Sequence, residues 1–294
     1  MDVAVVGGSV AGLQAALTLG RARRRVVVFD DGQPRNRAAE HVHNYLGTVD
    51  PAPGELLAAG RKQLAAYGVE VRNARVEDVT ADEDGFVVGG VRVRAVVLAT
   101  GLRDELPDVP GVADGWGRTV VACPHCHGWE VQDRPLVQLG MRGVPERSVA
   151  RALLLSRWSD DVVLCTDGDQ LTSSQLVLLD KAGVIVRTER VVAVRPENAK
   201  VRVELSGGSE LVPRALFVVV RQHQQSELAE KLGCRVVDGA IVTDDSGRTS
   251  EPGVYAVGTT ANPALLAIGA AGHASTAAVA VHADLLELDL GGGR

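Results

Sequence analysis

Short apolar runs alternate with glycine-rich turns and helical stretches at the start of the chain. Asp2 to Val6 reads as a buried strand, Gly7 to Gly12 as a glycine-rich turn and Leu13 to Leu19 as the start of a helix. The apolar run Val26 to Phe29 then predicts a second strand. This order of elements predicts one βαβ unit.

A weaker version of the same pattern recurs in the middle of the chain. Leu136 to Leu139 predicts a strand, Gly140 and Gly143 mark a loop, Ser148 to Arg157 predicts a helix and Val162 to Leu164 predicts a strand. Two βαβ units in one chain predict two nucleotide-binding-type domains.

The apolar pattern near the C-terminus sets the domain order. Gly253 to Gly258 reads as a strand, and an alanine-rich helix is expected from about Ala271 to Leu288. This helix needs a sheet to pack against, and the N-terminal unit supplies one. We therefore predict an α/β fold of two Rossmann-like, three-layer domains. Residues 1–113 and 243–294 would form a discontinuous first domain, and residues 114–242 an inserted second domain.

Composition narrows the function classes. The chain has 294 residues and a net charge of −6, with 46% hydrophobic and 23% charged residues. A broad nucleic-acid interface would need an excess of Lys and Arg, so we expect no nucleic-acid partner. The sequence holds no long uncharged apolar run and no export signal at its start, which predicts a cytoplasmic protein without a membrane partner.

The first glycine-rich turn favours dinucleotide binding. Gly7, Gly8 and Gly12 follow the predicted first strand, with Ser9 where the strict pattern has its second glycine. Asp30 closes the second strand, where a carboxylate can accept hydrogen bonds from a ribose. A turn that only packs a helix is the alternative.

The segment Cys123-Pro-His-Cys126-His127 is the most informative stretch. A zinc site would need a second ligand pair at short range, and haem attachment is expected outside the cytosol. A purely structural pair is a third alternative. The hypothesis we favour is a redox dithiol, with His127 as proton carrier and His125 as the other candidate.

An ordered set of motifs resembles the low-molecular-weight thioredoxin reductases, and in particular their C-x-x-C-H-G-[WY]-E relatives. That group includes the FAD-dependent dithiol oxidases of gliotoxin, holomycin and romidepsin biosynthesis. The motifs extend over almost the whole chain: Val5 to Ser9, Gly12-Leu13, Gly20-Arg21, Asp30 with Pro34 to Arg37, His41 with His43-Asn44, Ala99 to Gly101, and Cys123 to Glu130.

This resemblance implies FAD, a homodimer, and specific roles for the cysteines. Cys126 would exchange electrons with the flavin and Cys123 would engage the substrate, while His127 occupies the position of the family's acid/base residue. The FAD contacts implied are Gly7, Ser9, Gly12, Asp30, Asn36, Asn44, Thr100, Gly101 and Gly258.

Two departures from the family pattern bear on cofactors. Thr259 stands where the family has the aspartate that binds the ribityl chain of FAD. In the second unit, Arg142 replaces a glycine of the nucleotide turn and Pro145 removes a backbone donor, while Asp167 would repel a 2′-phosphate. We therefore expect that NADPH binding has been lost.

The leading hypothesis is an FAD-dependent dithiol oxidase that converts a small-molecule dithiol to its disulfide and reduces O2 to H2O2. A thioredoxin-reductase-like enzyme that uses NADPH or another donor such as ferredoxin is the alternative. A non-catalytic flavin redox sensor is the third hypothesis.

Overall fold

The computed structural model describes residues 1–291. Its helices are α1 (Val10–Arg21), α2 (Pro53–Ala65), α3 (Val112–Gly115), α4 (Pro124–His127), α5 (Pro145–Leu155), α6 (Ser173–Lys181), α7 (Leu228–Lys231) and α8 (Ala267–Asp289). Its strands are β1 (Val3–Val6), β2 (Val26–Asp30), β3 (Glu70–Asn73), β4 (Val79–Asp82), β5 (Gly85–Val88), β6 (Val91–Val93), β7 (Ala95–Leu98), β8 (Leu102–Glu105), β9 (Val120–Val121), β10 (Leu136–Leu139), β11 (Val162–Cys165), β12 (Ile185–Arg187), β13 (Val191–Glu197), β14 (Lys200–Leu205), β15 (Glu210–Leu211), β16 (Ala215–Val218), β17 (Arg221–Gln224), β18 (Val236–Val237), β19 (Ala240–Ile241) and β20 (Val254–Ala256).

The chain divides into two compact units. The first contains residues 1–37, 45–103 and the C-terminal part from residue 222, and the second contains residues 38–44 and 104–221. The first unit is thus discontinuous, with most of the second unit between its parts. None of the helices within residues 1–291 combines the length and the apolar character needed to cross a lipid bilayer.

The first unit is built on a five-stranded parallel sheet in the order β20-β7-β1-β2-β3. Successive residues of β1 face opposite sides, because strand side chains alternate. Val3 and Val5 belong to the core that includes α1 and α8, whereas Ala4 and Val6 belong to the core under the antiparallel sheet β4-β5-β6. The result is three layers with helices on one face.

The second unit repeats these three layers. Its parallel sheet has the order β12-β11-β10-β16-β9. Val149, Ala152 and Leu155 of α5 pack in the core on one face, and the antiparallel sheet β13-β14-β15 contributes to the core on the other face. The predicted fold class, two Rossmann-like α/β units of thioredoxin-reductase type, is confirmed.

The boundaries between the units differ from those placed on the sequence. The chain changes unit at residues 103/104 and 221/222, instead of at 113 and 243, and residues 38–44 also belong to the second unit. The segment 222–242 is in the first unit because Leu228, Ala229, Cys234 and Ile241 bury their side chains in its core. Short elements of this kind carry too little apolar pattern to be assigned from sequence.

Candidate functional site

The glycine turn after β1 packs as tightly as its sequence predicts. Gly7 has a φ of +110°, and a Cβ placed there would overlap the carbonyl oxygen of Ala99. A Cβ on Gly12 would overlap the carbonyl oxygen of Gly7. Both positions therefore require glycine. Ser9 is the N-cap of α1 and its side chain makes no capping hydrogen bond, so the helix N-terminus keeps donors for an anionic group.

Asp30 lies beside this turn at the end of β2. A Cβ on Gly8 would touch its carboxylate, and Asp30 is only 6% exposed. The carboxylate accepts hydrogen bonds from the backbone N–H of Gly32, at 3.1 Å, and from the guanidinium of Arg61. The acidic residue expected at the ribose position is thus present and fixed in orientation, and Arg61 of α2 is a partner that the sequence pattern did not indicate.

The loops after β7 and β20 meet the same edge of the sheet. The hydroxyls of Thr100 and Thr260 are 3.3 Å apart. A Cβ on Gly258, where φ is +72°, would come within 2.8 Å of Ala11 in the first turn of α1. The backbone N–H of Gly258 donates to Nδ1 of His273, at 3.3 Å. His273 therefore holds the loop after β20.

A pocket opens at this edge, where the central strands of the sheet end. It is lined by Val6, Gly7, Phe29, Asp31, Gln33, Ala74, Arg75, Val76, Thr100, Gln225 and Ser226. Parallel sheets bind nucleotides at the carboxyl ends of their strands, where the strand order reverses, and β1 and β7 flank that point here. The close-packed turn, the fixed acid and the unfilled helix N-terminus fit a dinucleotide such as FAD.

The predicted FAD contacts fall into three sets. Gly7, Ser9, Gly12, Asp30, Thr100, Gly101 and Gly258 lie around this edge of the first unit. Asn36 is half-buried in the loop after β2 of the same unit, and Asn44, with a φ of +56°, belongs to the second unit. Asp31, Gln33 and Arg75 line the pocket although the motif did not point to them.

Replacing Gly12 with alanine is expected to remove bound FAD. The new Cβ has to displace backbone, which costs about 1 to 3 kcal/mol or more and opens the turn. The flavin absorbance per chain and the thermal midpoint of the purified protein measure both effects. Gly54→Ala is the matched control, because no atom lies within 4 Å of a Cβ at that helical position. Full flavin content in the Gly12 variant would contradict this assignment of the turn.

The second unit contains a disulfide between Cys123 and Cys126, with their Cα atoms 5.3 Å apart. Pro124 begins helix α4, and the backbone N–H of Gly128 donates to its carbonyl at 2.7 Å. A Cβ on Gly128 would come within 2.8 Å of the Trp158 ring, so this turn rests directly on an indole. The spacing of the motif thus gives a tight helical turn closed by the two sulfurs.

Two histidines and a carboxylate lie beside this turn. His127 is half-buried and its Nδ1 has no hydrogen-bond partner among the described residues. Burial lowers the pKa of His127, and nearby His43 lowers it further, while the Cys123 backbone and Glu130 oppose the shift. The rings of His43 and His127 are 6.4 Å apart, and His43 Nδ1 is 3.5 Å from Glu130 Oε1. Burial thus favours the neutral form of the His127 imidazole.

The other two histidines of the motif region have different surroundings. The ring of His125 is exposed and meets Trp158 edge-on, at 5.6 Å between ring centroids. His41 is also exposed, with its ring 5.8 Å from that of His43. The structure thus groups His41 and His43 with the cysteine turn in one unit.

The glycine loop of the second unit, Gly140 to Val144, is hydrogen-bonded to side chains of α5 and of the segment after β11. Arg142 Nε donates to Asp167 Oδ2 at 2.6 Å, and the backbone N–H of Gly143 donates to Asp169 Oδ2 at 2.9 Å. The N–H of Met141 donates to the Ser148 hydroxyl at 2.9 Å. Backbone donors that a nucleotide phosphate would use at such a turn are therefore already satisfied.

The remaining cysteines are buried. Cys165 is 0% exposed and burial raises the pKa of its thiol to about 12, and burial also raises the pKa of the Cys234 thiol. Neither thiol forms a reactive thiolate near neutral pH. Within residues 1–291 there is no cluster of three or more His, Cys, Asp or Glu residues arranged to hold a metal ion.

The fold and these sites define the class of disulfide oxidoreductases with nucleotide-binding-type domains. Residues 1–283 match the family described as pyridine nucleotide-disulphide oxidoreductase. Thioredoxin reductase aclD of Aspergillus oryzae is 30% identical over 276 residues, 87% of each chain. Thioredoxin reductase tcpT of Claviceps purpurea is 29% identical over 284 residues, 88% of this chain and 86% of that protein. The crystal structure of HlmI superposes with a TM-score of 0.93 and 42% identity, covering 99% of this chain and 94% of that one.

The chain belongs to the pyridine nucleotide-disulphide oxidoreductase family, and it is a thioredoxin-reductase-like enzyme. Membership of this flavoprotein group implies FAD. The resemblance drawn from the sequence motifs is confirmed.

Proposed function

We propose that this enzyme is an FAD-dependent dithiol oxidase, which converts a small-molecule dithiol to its disulfide and reduces O2 to H2O2. The observation that carries the proposal is the ion pair between Arg142 and Asp167 in the nucleotide loop of the second unit. Asp167 is 7% exposed and also accepts a hydrogen bond from the Val191 N–H at 2.9 Å. The arrangement supports a loss of NADPH binding.

Three features of the loop argue against a nicotinamide dinucleotide. A pyrophosphate would have to displace the carboxylate of Asp169 from the Gly143 N–H. Pro145 begins α5 and offers no backbone donor. Asp167 lies in the segment that follows β11. Its negative charge would repel a 2′-phosphate bound there. In this proposal, the enzyme has FAD and a cysteine pair without a nicotinamide donor, and it takes its electrons from substrate thiols.

The side chains of this chain supply the thiol chemistry. In this proposal a substrate thiolate attacks Cys123, and Cys126 leaves as a thiolate. His127, whose pKa is lowered by burial, accepts the proton of a substrate thiol at neutral pH. FAD, when bound, would supply the two-electron acceptor for the reduced cysteine pair, and O2 would be the final acceptor. The homodimer, which the family resemblance implies, and the cytoplasmic location, which is expected from the sequence pattern, are part of this proposal.

An anaerobic titration tests the electron source. The oxidised flavin absorbance of the purified holoenzyme is followed while NADPH is added to one cuvette and dithiothreitol to another, and air is then admitted. We expect bleaching by dithiothreitol alone, with recovery and about one H2O2 per disulfide formed, because each pair of thiols yields two electrons. Dithionite serves as the control that the flavin is reducible.

The other outcomes decide against the oxidase. Rapid bleaching by NADPH would make the enzyme a thioredoxin-reductase-like disulfide reductase, as the names of its relatives suggest. Bleaching by dithionite but by neither NADPH nor dithiothreitol would favour another donor or a redox sensor. An assay of NADPH binding by fluorescence, without turnover, checks the nucleotide loop separately.

A further inference from the structure

Arg151 of α5 lies beside the cysteine turn, although no sequence motif pointed to it. Its Nη1 donates a hydrogen bond to the carbonyl oxygen of Ala122. That carbonyl belongs to the peptide bond whose nitrogen is the backbone nitrogen of Cys123. The guanidinium is therefore one peptide unit away from Cys123, within the same unit of the structure.

No ion pair compensates the charge of Arg151 among residues 1–291. Burial lowers the pKa of its guanidinium, and the positive charge of Arg147 lowers it further. No carboxylate of residues 1–291 pairs with Arg151, whereas Arg142 nearby in sequence pairs with Asp167. An arginine keeps its charge in a protein, and a partly buried charge without a counter-ion is costly. The position is thus electrostatically suited to an anion.

The cysteine pair can supply that anion. Cys123 and Cys126 are uncharged as a disulfide, and they gain thiolate character when they are reduced. We propose that Arg151 is a positioning residue whose charge stabilises the thiolate of Cys123 in the reduced enzyme. This inference rests on the proposed function, in which Cys123 is the cysteine that engages the substrate.

The stabilised thiolate is a leaving group in that reaction. One substrate thiolate attacks Sγ of Cys123, so that a mixed disulfide forms and the bond to Cys126 breaks. The second substrate thiolate then attacks the substrate sulfur of the mixed disulfide. The new bond closes the substrate disulfide, and the electron pair of the broken bond leaves with Sγ of Cys123. The substrate loses two electrons and two protons, and Arg151 favours the last step because a more acidic thiol leaves faster.

Alkylation of the reduced holoenzyme measures this effect directly. The protein is reduced, freed of reductant under anaerobic conditions and pulsed with iodoacetamide over a pH series. Mass spectrometry then follows the peptide that contains Cys123. The variants are Arg151→Gln, which keeps an N–H donor for the Ala122 carbonyl without the charge, and Arg151→Lys, which keeps the charge. Arg147→Met, an exposed position one turn earlier on α5, is the matched control.

We expect the Cys123 thiol to titrate below its usual pKa of about 8.5 in the parent enzyme. Arg151→Gln should raise that pKa by about 1 unit or more, as expected for the loss of an opposite charge nearby. Arg151→Lys and Arg147→Met should stay near the parent value. Flavin absorbance and thermal unfolding verify that each variant folds.

Two results would overturn the inference. An unchanged Cys123 titration in Arg151→Gln would show that the charge does not act on the thiolate. An equal shift in the Lys and Gln variants would show that the guanidinium supports only the backbone. The measurement involves neither O2 nor a substrate dithiol, so a failed oxidase assay beside a shifted titration would reject the proposed function alone.

Discussion

Cys126→Ser is expected to reduce dithiol-driven bleaching of the flavin by about 10³-fold or more, because the reaction then has no second sulfur to carry the electrons. Cys123 then remains a free thiol, because two thiols form no mixed disulfide without an oxidant and the variant has no disulfide to exchange. Stopped-flow absorbance of the anaerobic holoenzyme measures the rate, and mass spectrometry verifies that Cys123 carries no substrate adduct.

Cys123→Ser separates the roles of the two cysteines. Both variants should lose turnover, but only the Cys123 variant should keep the long-wavelength charge-transfer absorbance of a thiolate against oxidised flavin, if Cys126 is the cysteine that faces it. The matched control is Cys234→Ala, since Cys234 is a buried thiol, 6% exposed, whose pKa is raised by burial. Charge-transfer absorbance in Cys126→Ser, and its loss in Cys123→Ser, would reverse the assignment.

The sequence predicts the fold well because long apolar strands and tight glycine turns constrain the backbone locally. Gly7 and Gly12 are required by contacts within one βαβ unit, so the pattern of the unit itself reveals them. The C-terminal helix was placed with the first unit on its need for a sheet, and Ala274 and Val281 do pack in that core. Its start was set too late, since α8 begins at Ala267.

The partners that shape the sites could not be read from the sequence. Arg61 reaches Asp30 across 31 positions, and Arg151 reaches Ala122 across 29. Neither arginine belongs to a motif, because each contact depends on how a helix packs on its sheet. The departure of the nucleotide loop from the family pattern is visible in the sequence at Arg142 and Pro145, but the contribution of Asp169 depends on loop geometry after β11.

The neighbours of the cysteine turn are the part of the site that the structure clarifies most. His43 could be quoted as part of a motif, yet only the coordinates bring its ring within 6.4 Å of His127 and its Nδ1 to Glu130. A separation of more than eighty positions along the chain leaves no local signal. The side chains that surround the proposed base, His127, are therefore brought together only by the tertiary structure. The local sequence motif was sufficient to identify His127 itself.

His127→Asn is expected to slow the reductive half-reaction by about 10²-fold or more at neutral pH, in the range typical of lost general base catalysis. Burial lowers the pKa of His127, so the neutral base persists as the pH falls. The parent rate, corrected for the thiolate fraction of the dithiol, should decline only below the usual histidine pKa of about 6.5. The variant should lose this acidic limb.

His125→Asn is the comparison, because that ring is exposed on the same turn. If the limb disappears in the His125 variant and remains in the His127 variant, the proton carrier is His125. The lowered pKa of His127 would then be a consequence of its burial alone.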